Sequence, residues 1–181
     1  KTRLLLEFIK DNGMYFFVNK NKKSQELLNE FEEILKSNKI LGELEKLGSW
    51  ENFIDVIIKR SKKPIILDEV QNFYTVEPSV FGSLQKYIVL NEDTPGLIIL
   101  SGSLIGLIKD TFQSNKEPLY GRVKWNKKIE PLTLFSILEI AKELELEKEE
   151  LVKLYGIFGG YPRYYVLMED YNLKNKKAEE I

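Results

Sequence analysis

The sequence contains no cysteine and no histidine among its 181 residues. The absence of cysteine excludes disulfides, thiol nucleophiles and thiolate metal sites. The absence of histidine excludes imidazole general bases and histidine-ligated zinc. Any catalysis must therefore use carboxylates, lysine, arginine, tyrosine, hydroxyls, backbone amides or an oxygen-bound ion such as Mg²⁺.

Long hydrophobic runs and an excess of charge are also missing. The longest apolar run near the amino end covers residues 14–18, well below the roughly 18–20 residues of a membrane-spanning helix. Charges interrupt the first ten residues, so no signal peptide is indicated. A formal net charge of −1 argues against a generally basic nucleic-acid-binding surface, although a local basic patch is compatible with it. The sequence predicts a cytoplasmic protein that makes no membrane contact.

Short apolar segments and helical segments alternate along the chain. Apolar runs predict buried strands at residues 14–18, 64–68 and 97–101, with Lys124–Ile129 as a candidate last strand. Helical periodicity predicts helices at residues 2–11, 24–35, 49–60, 78–90 and 104–112, and a helical region over 132–168 that breaks near Gly159–Gly160 and Pro162. Apolar strands flanked by helices are typical of a parallel sheet covered on both faces. Because ligands bind at the carboxyl ends of such strands, function is expected just after each strand.

The strongest single motif is the segment Pro64-Ile-Ile-Leu-Asp68-Glu69. An apolar strand that ends in two acids has the form of a Walker B motif. There the Asp holds the water shell of a Mg²⁺ ion, and the next acid polarises the attacking water. The alternative is a strand that ends in a solvated acidic turn, and a motif this short fits either interpretation.

Lys1 and Thr2 open the first predicted helix, as the last two residues of the P-loop sequence G-x-x-x-x-G-K-[ST] do. In that motif the Lys reaches the β- and γ-phosphates and the hydroxyl binds Mg²⁺. A Lys-Thr pair alone carries no information. It becomes informative here because a helix follows it, and because the Walker B candidate comes after two more helices and a strand.

Hydroxyl side chains follow the next apolar strand, in the segment Ser101-Gly102-Ser103. In P-loop ATPases of the AAA+ type this strand carries sensor 1, a polar residue that contacts the γ-phosphate or the water. The alternative is a turn in which Ser103 caps a helix. The sequence does not distinguish Ser101 from Ser103 as the sensor.

Two further motifs are basic or glycine-rich. Arg122 closes the segment Pro118–Arg122 within a cluster of lysines, and its guanidinium is suited to stabilising phosphoryl-transfer charge. An exposed basic turn is the alternative there. Gly160 and Pro162 either break a helix or form a turn in a small helical lid that faces the nucleotide base.

In this order the motifs resemble those of the archaeal ATPase family, in the AAA+/STAND branch of P-loop NTPases. The resemblance runs from Lys1 to about Tyr165 and implies an α/β fold. Residues 1–130 would form a three-layer P-loop NTPase sandwich with a mostly parallel sheet, and residues 131–181 the start of an α-helical lid. It also implies ATP hydrolysis, with ATP or ADP and Mg²⁺ as the ligands.

The resemblance assigns roles to individual residues. Contacts to the nucleotide fall to Lys1, Thr2, Ser101, Ser103, Gly160 and Pro162. The metal ligands are Thr2 and Asp68. The catalytic residues are Glu69, Asp68 and Arg122, of which Arg122 has the least defined role.

The sequence departs from the family in two respects. It lacks the strand and the glycines that precede this Lys-Thr pair, and it lacks the winged-helix and nuclease-like regions that commonly follow in the family. We therefore expect an internal fragment that is inactive by itself, since backbone amides of the glycine loop cradle the phosphates. Two alternatives to a working ATPase are a nucleotide-gated switch with little turnover and a DNA-associated module. The basic residues of 116–128 favour the DNA-associated module, and a homo-oligomer is a further expectation.

Overall fold

The computed structural model describes residues 1–10, 12–91, 96–103, 118–143 and 147–171. The predicted short helix at 104–112 lies outside these ranges. The chain divides into two compact units, Lys1–Asn126 and Lys127–Ile181. Each unit is described by itself.

The first unit is built on a three-stranded parallel sheet with the strand order β1-β2-β3. The strands are β1 (Met14–Phe17), β2 (Ile65–Asp68) and β3 (Ile98–Ser101). They correspond to the three predicted apolar runs, and β2 is buried at every position. In the register of the sheet, Phe17 pairs with Asp68 and Asp68 pairs with Ser101. The carboxyl ends of all three strands are therefore level.

Helices connect the strands, as parallel pairing requires. They are α1 (Thr2–Ile9), α2 (Ser24–Ser37), α3 (Trp50–Arg60), α4 (Phe73–Val76) and α5 (Ser79–Leu90), with a 3-10 turn at Val70–Asn72. Ser49 caps α3, because its hydroxyl oxygen accepts a hydrogen bond of 3.1 Å from the Asn52 amide. Helix α1 keeps Leu4 and Phe8 largely exposed, and Ile9 is its buried residue.

Aromatic rings form the centre of the first unit's core. Phe16 on β1 contacts Phe31 on α2 edge-on, with ring centroids 4.9 Å apart. Trp50 on α3 links Phe31 to Phe73 on α4, at centroid distances of 5.4 and 5.1 Å. Edge-to-face contacts of this kind add to the stability that burial of the rings supplies. They fix α2, α3 and α4 against the sheet.

The second unit contains the helices α6 (Leu134–Glu143), α7 (Lys148–Phe158) and α8 (Pro162–Asp170). Its core consists of apolar residues that are almost fully buried, namely Ile137, Leu151, Leu154, Tyr165 and Met168. These helices confirm the helical region predicted over 132–168, including its break at Gly159–Gly160. Within the described ranges, every helix of the chain is too short or too polar to cross a lipid bilayer.

The predicted strand at Lys124–Ile129 is wrong. These residues form a bend followed by irregular backbone, and all of them are exposed. Trp125 is 77% exposed and Ile129 is 55% exposed, so neither apolar side chain is used in a core. The lysines between and beside them oppose burial, and a strand of a covered sheet needs burial on both faces.

Candidate functional site

Two acids mark the carboxyl end of the central strand. Asp68 is the last residue of β2 and is fully buried. Glu69 follows it with φ 56° and ψ 40°, a left-handed conformation that is unusual for a residue with a side chain. This conformation ends the strand and begins the 3-10 turn at Val70–Asn72.

Asp68 accepts hydrogen bonds from residues that are far apart in the sequence of the first unit. Its Oδ2 accepts from Thr2 Oγ1 at 2.9 Å and from the Tyr15 hydroxyl at 2.8 Å. Its Oδ1 accepts from the backbone amide of Glu69 at 3.0 Å. Lys1 Nζ lies 3.3 Å from the same oxygen. The side chain of Ser101 also hydrogen-bonds to Asp68. The carboxylate is thus buried with its hydrogen-bonding capacity filled.

Glu69 is held by three donors. Lys1 Nζ lies 2.7 Å from Oε1 and forms an ion pair with it. Ser103 Oγ donates to Oε2 at 2.7 Å, and the side-chain amide of Gln71 donates to the same oxygen. Lys1 therefore bridges the two acids. Ser101, the last residue of β3, contacts Asp68, and Ser103 contacts Glu69.

The surroundings of both acids favour the ionised form. Burial tends to raise the pKa of Asp68, but hydrogen bonds from Tyr15, Ser101 and Thr2 and the charge of Lys1 outweigh it and lower the pKa. Burial likewise opposes ionisation of Glu69, and Lys1, Ser103 and Gln71 lower its pKa overall. Conversely, burial and the neighbouring Asp68 carboxylate raise the pKa of Tyr15 far above its ordinary value. Tyr15 is therefore neutral and acts as a hydrogen-bond donor.

The oxygen atoms at this point suit a hard cation. Asp68 offers a carboxylate, and Thr2 offers a hydroxyl 2.9 Å from it. The described residues contain no group of three or more His, Cys, Asp or Glu side chains that could hold a metal by themselves. Mg²⁺ is typically bound through one or two carboxylates together with substrate phosphates and water. Thr2 and Asp68 fit a site of this kind, in which the protein supplies only some of the oxygen atoms around the metal.

An open cleft of about 630 Å³ adjoins Glu69. Its lining comes from the end of β1, from the turns after β1 and β2 and from Ser103: Phe17, Asn19, Lys20, Asn21, Glu69, Gln71, Asn72 and Ser103. Solvent and a ligand therefore have access to the Glu69 side of the acid pair, whereas Asp68 is enclosed.

The structure brings most of the sequence-predicted residues together. Those that meet at the strand ends are Lys1, Thr2, Asp68, Glu69, Ser101 and Ser103. Arg122 lies in an exposed turn of the first unit, where its backbone amide donates to the Leu119 carbonyl at 3.1 Å. Its catalytic role stays a prediction.

Gly160 and Pro162 belong to the second unit. Gly160 is in backbone contact with Leu132, whose amide donates to the Gly160 carbonyl at 2.7 Å. A Cβ at Gly160 would lie 1.7 Å from the Leu132 carbonyl oxygen, so only glycine fits there. Pro162 is the first residue of α8, where its fixed φ is compatible with a helix. Both residues have a structural explanation, and their predicted contact with a nucleotide stays a prediction.

Sequence reasoning missed two members of this site, Tyr15 and Gln71. Tyr15 sits within an aromatic strand, and its neighbours Met14 and Phe16 are buried core residues. The alternation of β1 nevertheless places Tyr15 on the opposite face from them, and that is a signal available in the sequence. Gln71 stands between the apolar Val70 and the polar Asn72, and its burial is visible only in the structure.

Comparison with known proteins places this geometry in context. A family model described as an ATPase domain predominantly from Archaea matches residues 1–168. An uncharacterized protein of Methanocaldococcus jannaschii is 32% identical over 116 residues, which are 64% of this chain and 25% of that protein. The chain therefore spans about a quarter of the length of this relative.

Among solved structures, the Walker-type ATPase of Pyrococcus abyssi is similar in fold. The TM-score is 0.72 at 18% sequence identity, and the match covers 99% of this chain and 61% of that chain. This likeness shows that the described α/β arrangement is a Walker-type ATPase fold.

Proposed function

Because the chain belongs to the family of ATPase domains found predominantly in Archaea, we propose that it forms the catalytic part of an enzyme that binds ATP with Mg²⁺ and hydrolyses it. One observation carries this proposal. Lys1 and Thr2 meet Asp68 and Glu69 at the end of a buried central strand, although 66 residues separate Thr2 from Asp68. A Lys, a hydroxyl and two acids in contact are the side chains that phosphoryl transfer with Mg²⁺ requires.

The proposed roles follow from the contacts. Lys1 neutralises the charge of the β- and γ-phosphates, exchanging its ion pairs with the acids for contacts to the nucleotide. Thr2 and Asp68 would hold Mg²⁺, which supplies neutralisation of the phosphate charge. Glu69, the acid with access to the cleft, orients or deprotonates the attacking water. Thr2, Asp68 and Glu69 thus correspond to the ends of Walker A and Walker B.

The assignment to the AAA+/STAND branch belongs to the same proposal. Ser103 is supported as the sensor by its bond to the cleft-side acid Glu69, whereas Ser101 is buried and bonds to Asp68. Arg122 would supply a further positive charge. The second unit would act as a helical lid, with Gly160 and Pro162 shaping its turn.

We expect Glu69→Gln to abolish ATP turnover while ATP binding is retained. The substitution removes the group that acts on water but leaves Lys1, Thr2 and Asp68 in place, so the chemical step is lost and affinity is kept. Turnover is measured with a phosphate-release assay, and binding by calorimetry with Mg·ATP, in the full-length protein that carries this chain. Glu33→Gln, on the exposed side of α2, is the matched control. Equal turnover in the Glu69→Gln protein and the parent protein would remove Glu69 from the mechanism.

A nucleotide-gated switch is the second candidate, and the state of Glu69 favours it. Both carboxylate oxygens are already engaged, by Lys1 on one side and by Ser103 and Gln71 on the other. While Lys1 occupies Oε1, the carboxylate contributes little to the activation of water, and nucleotide binding has to draw Lys1 away first. Tight retention of ADP with negligible turnover in the parent protein would favour the switch, and steady hydrolysis would favour the enzyme.

A further inference from the structure

Gln71 lies two residues after Glu69, in the 3-10 turn, and is only 5% exposed. Its side-chain nitrogen donates to Glu69 Oε2 and lies 3.5 Å from Ser103 Oγ. Ser103 donates to the same Oε2 at 2.7 Å. Side chains that follow β2 and β3 therefore converge on one oxygen of the acid that faces the cleft.

The amide of Gln71 has a definite orientation. Its oxygen, Oε1, is buried and has no hydrogen-bond partner among the residues that the structure describes. Turning the amide over would place that oxygen against the Glu69 carboxylate, so the negative charge selects the orientation in which nitrogen faces Glu69. A buried acceptor without a partner is unfavourable, and an apolar side chain of similar length would pack without that penalty. The useful part of Gln71 is therefore its donor.

The backbone around Gln71 is fixed from both sides. Glu69 adopts its left-handed conformation immediately before the turn. The side-chain amide of Asn72 donates to the Val18 carbonyl at 2.7 Å and so ties the turn to the end of β1. Gln71 is anchored between these two points. Its side chain can therefore restrict the rotamers of Glu69, whose own backbone position leaves several of them open.

We propose that Gln71 is a positioning residue that orients the Glu69 carboxylate toward the water it acts on and couples it to Ser103. This role rests on the proposed ATPase function, because a positioning role has meaning only if Glu69 acts in turnover. The side-chain hydrogen bonds of Gln71 in the described part of the chain go to Glu69 and Ser103, and not to the proposed metal ligands Thr2 and Asp68. Its loss should therefore change the chemical step and leave nucleotide and Mg²⁺ binding as they are.

The test is a double-mutant cycle with Gln71→Met and Ser103→Ala in the full-length protein. Met has a similar length and lacks the donor. We expect kcat for Mg·ATP to fall about 10- to 100-fold in Gln71→Met, while KM changes by less than about twofold. The double variant should lose little more than the worse single variant, because both donors act on the same oxygen. Gln25→Met is the matched control, since it removes an amide hydrogen bond of 2.9 Å to Asn29 on the exposed face of α2.

Each outcome decides the matter. A Gln71→Met protein with the parent's kcat, or effects that multiply with those of Ser103→Ala, would refute the positioning role while the ATPase function stands. A parent protein that does not hydrolyse ATP would refute the proposed function, and the positioning role would fall with it. If Gln71→Met fails to fold by circular dichroism, Gln71→Asn replaces it. That variant keeps the amide on a shorter side chain that does not reach Glu69, and the same loss of kcat is expected.

Discussion

Tyr15 shows how a single hydroxyl can serve a buried acid. Its OH donates to the Asp68 oxygen that also accepts from Thr2, and its raised pKa keeps the proton on the phenol. If Asp68 and Thr2 hold Mg²⁺, Tyr15 orients a ligand of the metal without touching it. Partners of this kind tune metal affinity.

We expect Tyr15→Phe to raise the Mg²⁺ concentration needed for half-maximal ATPase activity by about tenfold, because the Asp68 carboxylate loses the donor that orients it. The measurement is an activity titration with Mg²⁺ at fixed ATP. Tyr87→Phe is the control, since that hydroxyl lies 3.5 Å from the surface carboxylate of Glu51. An unchanged Mg²⁺ dependence in Tyr15→Phe would exclude this role of Tyr15.

Glu32 is a second buried acid, and its role is structural. It accepts from Lys36 Nζ at 2.7 Å and from the Leu47 amide at 2.6 Å. The Lys36 hydrogen bond, followed by the Leu47 amide, holds the pKa of Glu32 below its ordinary value. A carboxyl whose pKa is lower in the folded state than in the unfolded state stabilises the fold above the unfolded pKa, and this stability is lost as the pH falls through the folded pKa.

We expect Glu32→Gln to be less stable than the parent by about 1–2 kcal/mol at neutral pH, because the charge-assisted bond to Lys36 is lost. The difference should shrink as the pH falls below about 4.5. Urea unfolding of both proteins at neutral and acidic pH measures it. A difference that stays constant over this range would show that ionisation of Glu32 does not stabilise the fold.

At the scale of elements, the turn between α7 and α8 depends on one glycine. Gly160 lies against the backbone of Leu132, while Gly156 on α7 is exposed and a Cβ there would contact nothing within 4 Å. The two glycines are four residues apart. Position 160 has no room for a β-carbon, whereas position 156 does. They form a matched pair for substitution.

We expect Gly160→Ala to destabilise the second unit by about 3 kcal/mol or more, since the added methyl overlaps the Leu132 carbonyl. Gly156→Ala should stabilise α7 by up to about 1 kcal/mol, because alanine is the better helix former. Thermal unfolding of the two variants measures both effects. Equal melting temperatures would mean that residues 132 and 160 do not pack as described.

The elements that the sequence predicted well are those whose signal is local. Apolar runs located the three strands, and the parallel pairing predicted for them places Asp68 beside Ser101. Helix α2 begins at Ser24 as predicted, and the cap residue before it is Lys23 rather than a hydroxyl residue. The Ser24 hydroxyl instead accepts from the Trp50 indole and donates to Glu77, partners that are 26 and 53 residues away. Such tertiary partners leave no local signature.

The site was predictable where its residues belong to short local motifs. This is the case for Lys1, Thr2, Asp68 and Glu69. The position of Gln71 beside the Glu69 carboxylate depends on the left-handed backbone conformation of Glu69. No residue type in the sequence indicates that conformation. The prediction of a strand at 124–129 was wrong because hydrophobic periodicity and composition do not show whether a segment has a partner strand to pair with.

At the scale of the whole molecule, the described residues form two compact units with separate apolar cores. The acid pair and its donors lie in the first unit, and the glycine turn lies in the second. The exposed segment 121–130 contains basic residues on which the hypothesis of a DNA-associated module rests. Among them, Lys128 Nζ lies 2.9 Å from Glu130 Oε1 and forms an ion pair with it. That hypothesis stays a prediction.

The level register of the strand ends limits how the length of the chain can vary. Phe17, Asp68 and Ser101 face one another across the sheet, and successive side chains of a strand point to opposite faces. One residue inserted inside β3 would move Ser101 out of line with Asp68 and reverse the faces of the residues beyond it. One residue inserted among the exposed residues 43–46, in the loop that follows α2, leaves every strand pairing unchanged. Relatives of this chain are therefore free to differ in length in exposed loops between the helices, whereas the number of residues within each strand has to stay constant for the strand ends to remain level.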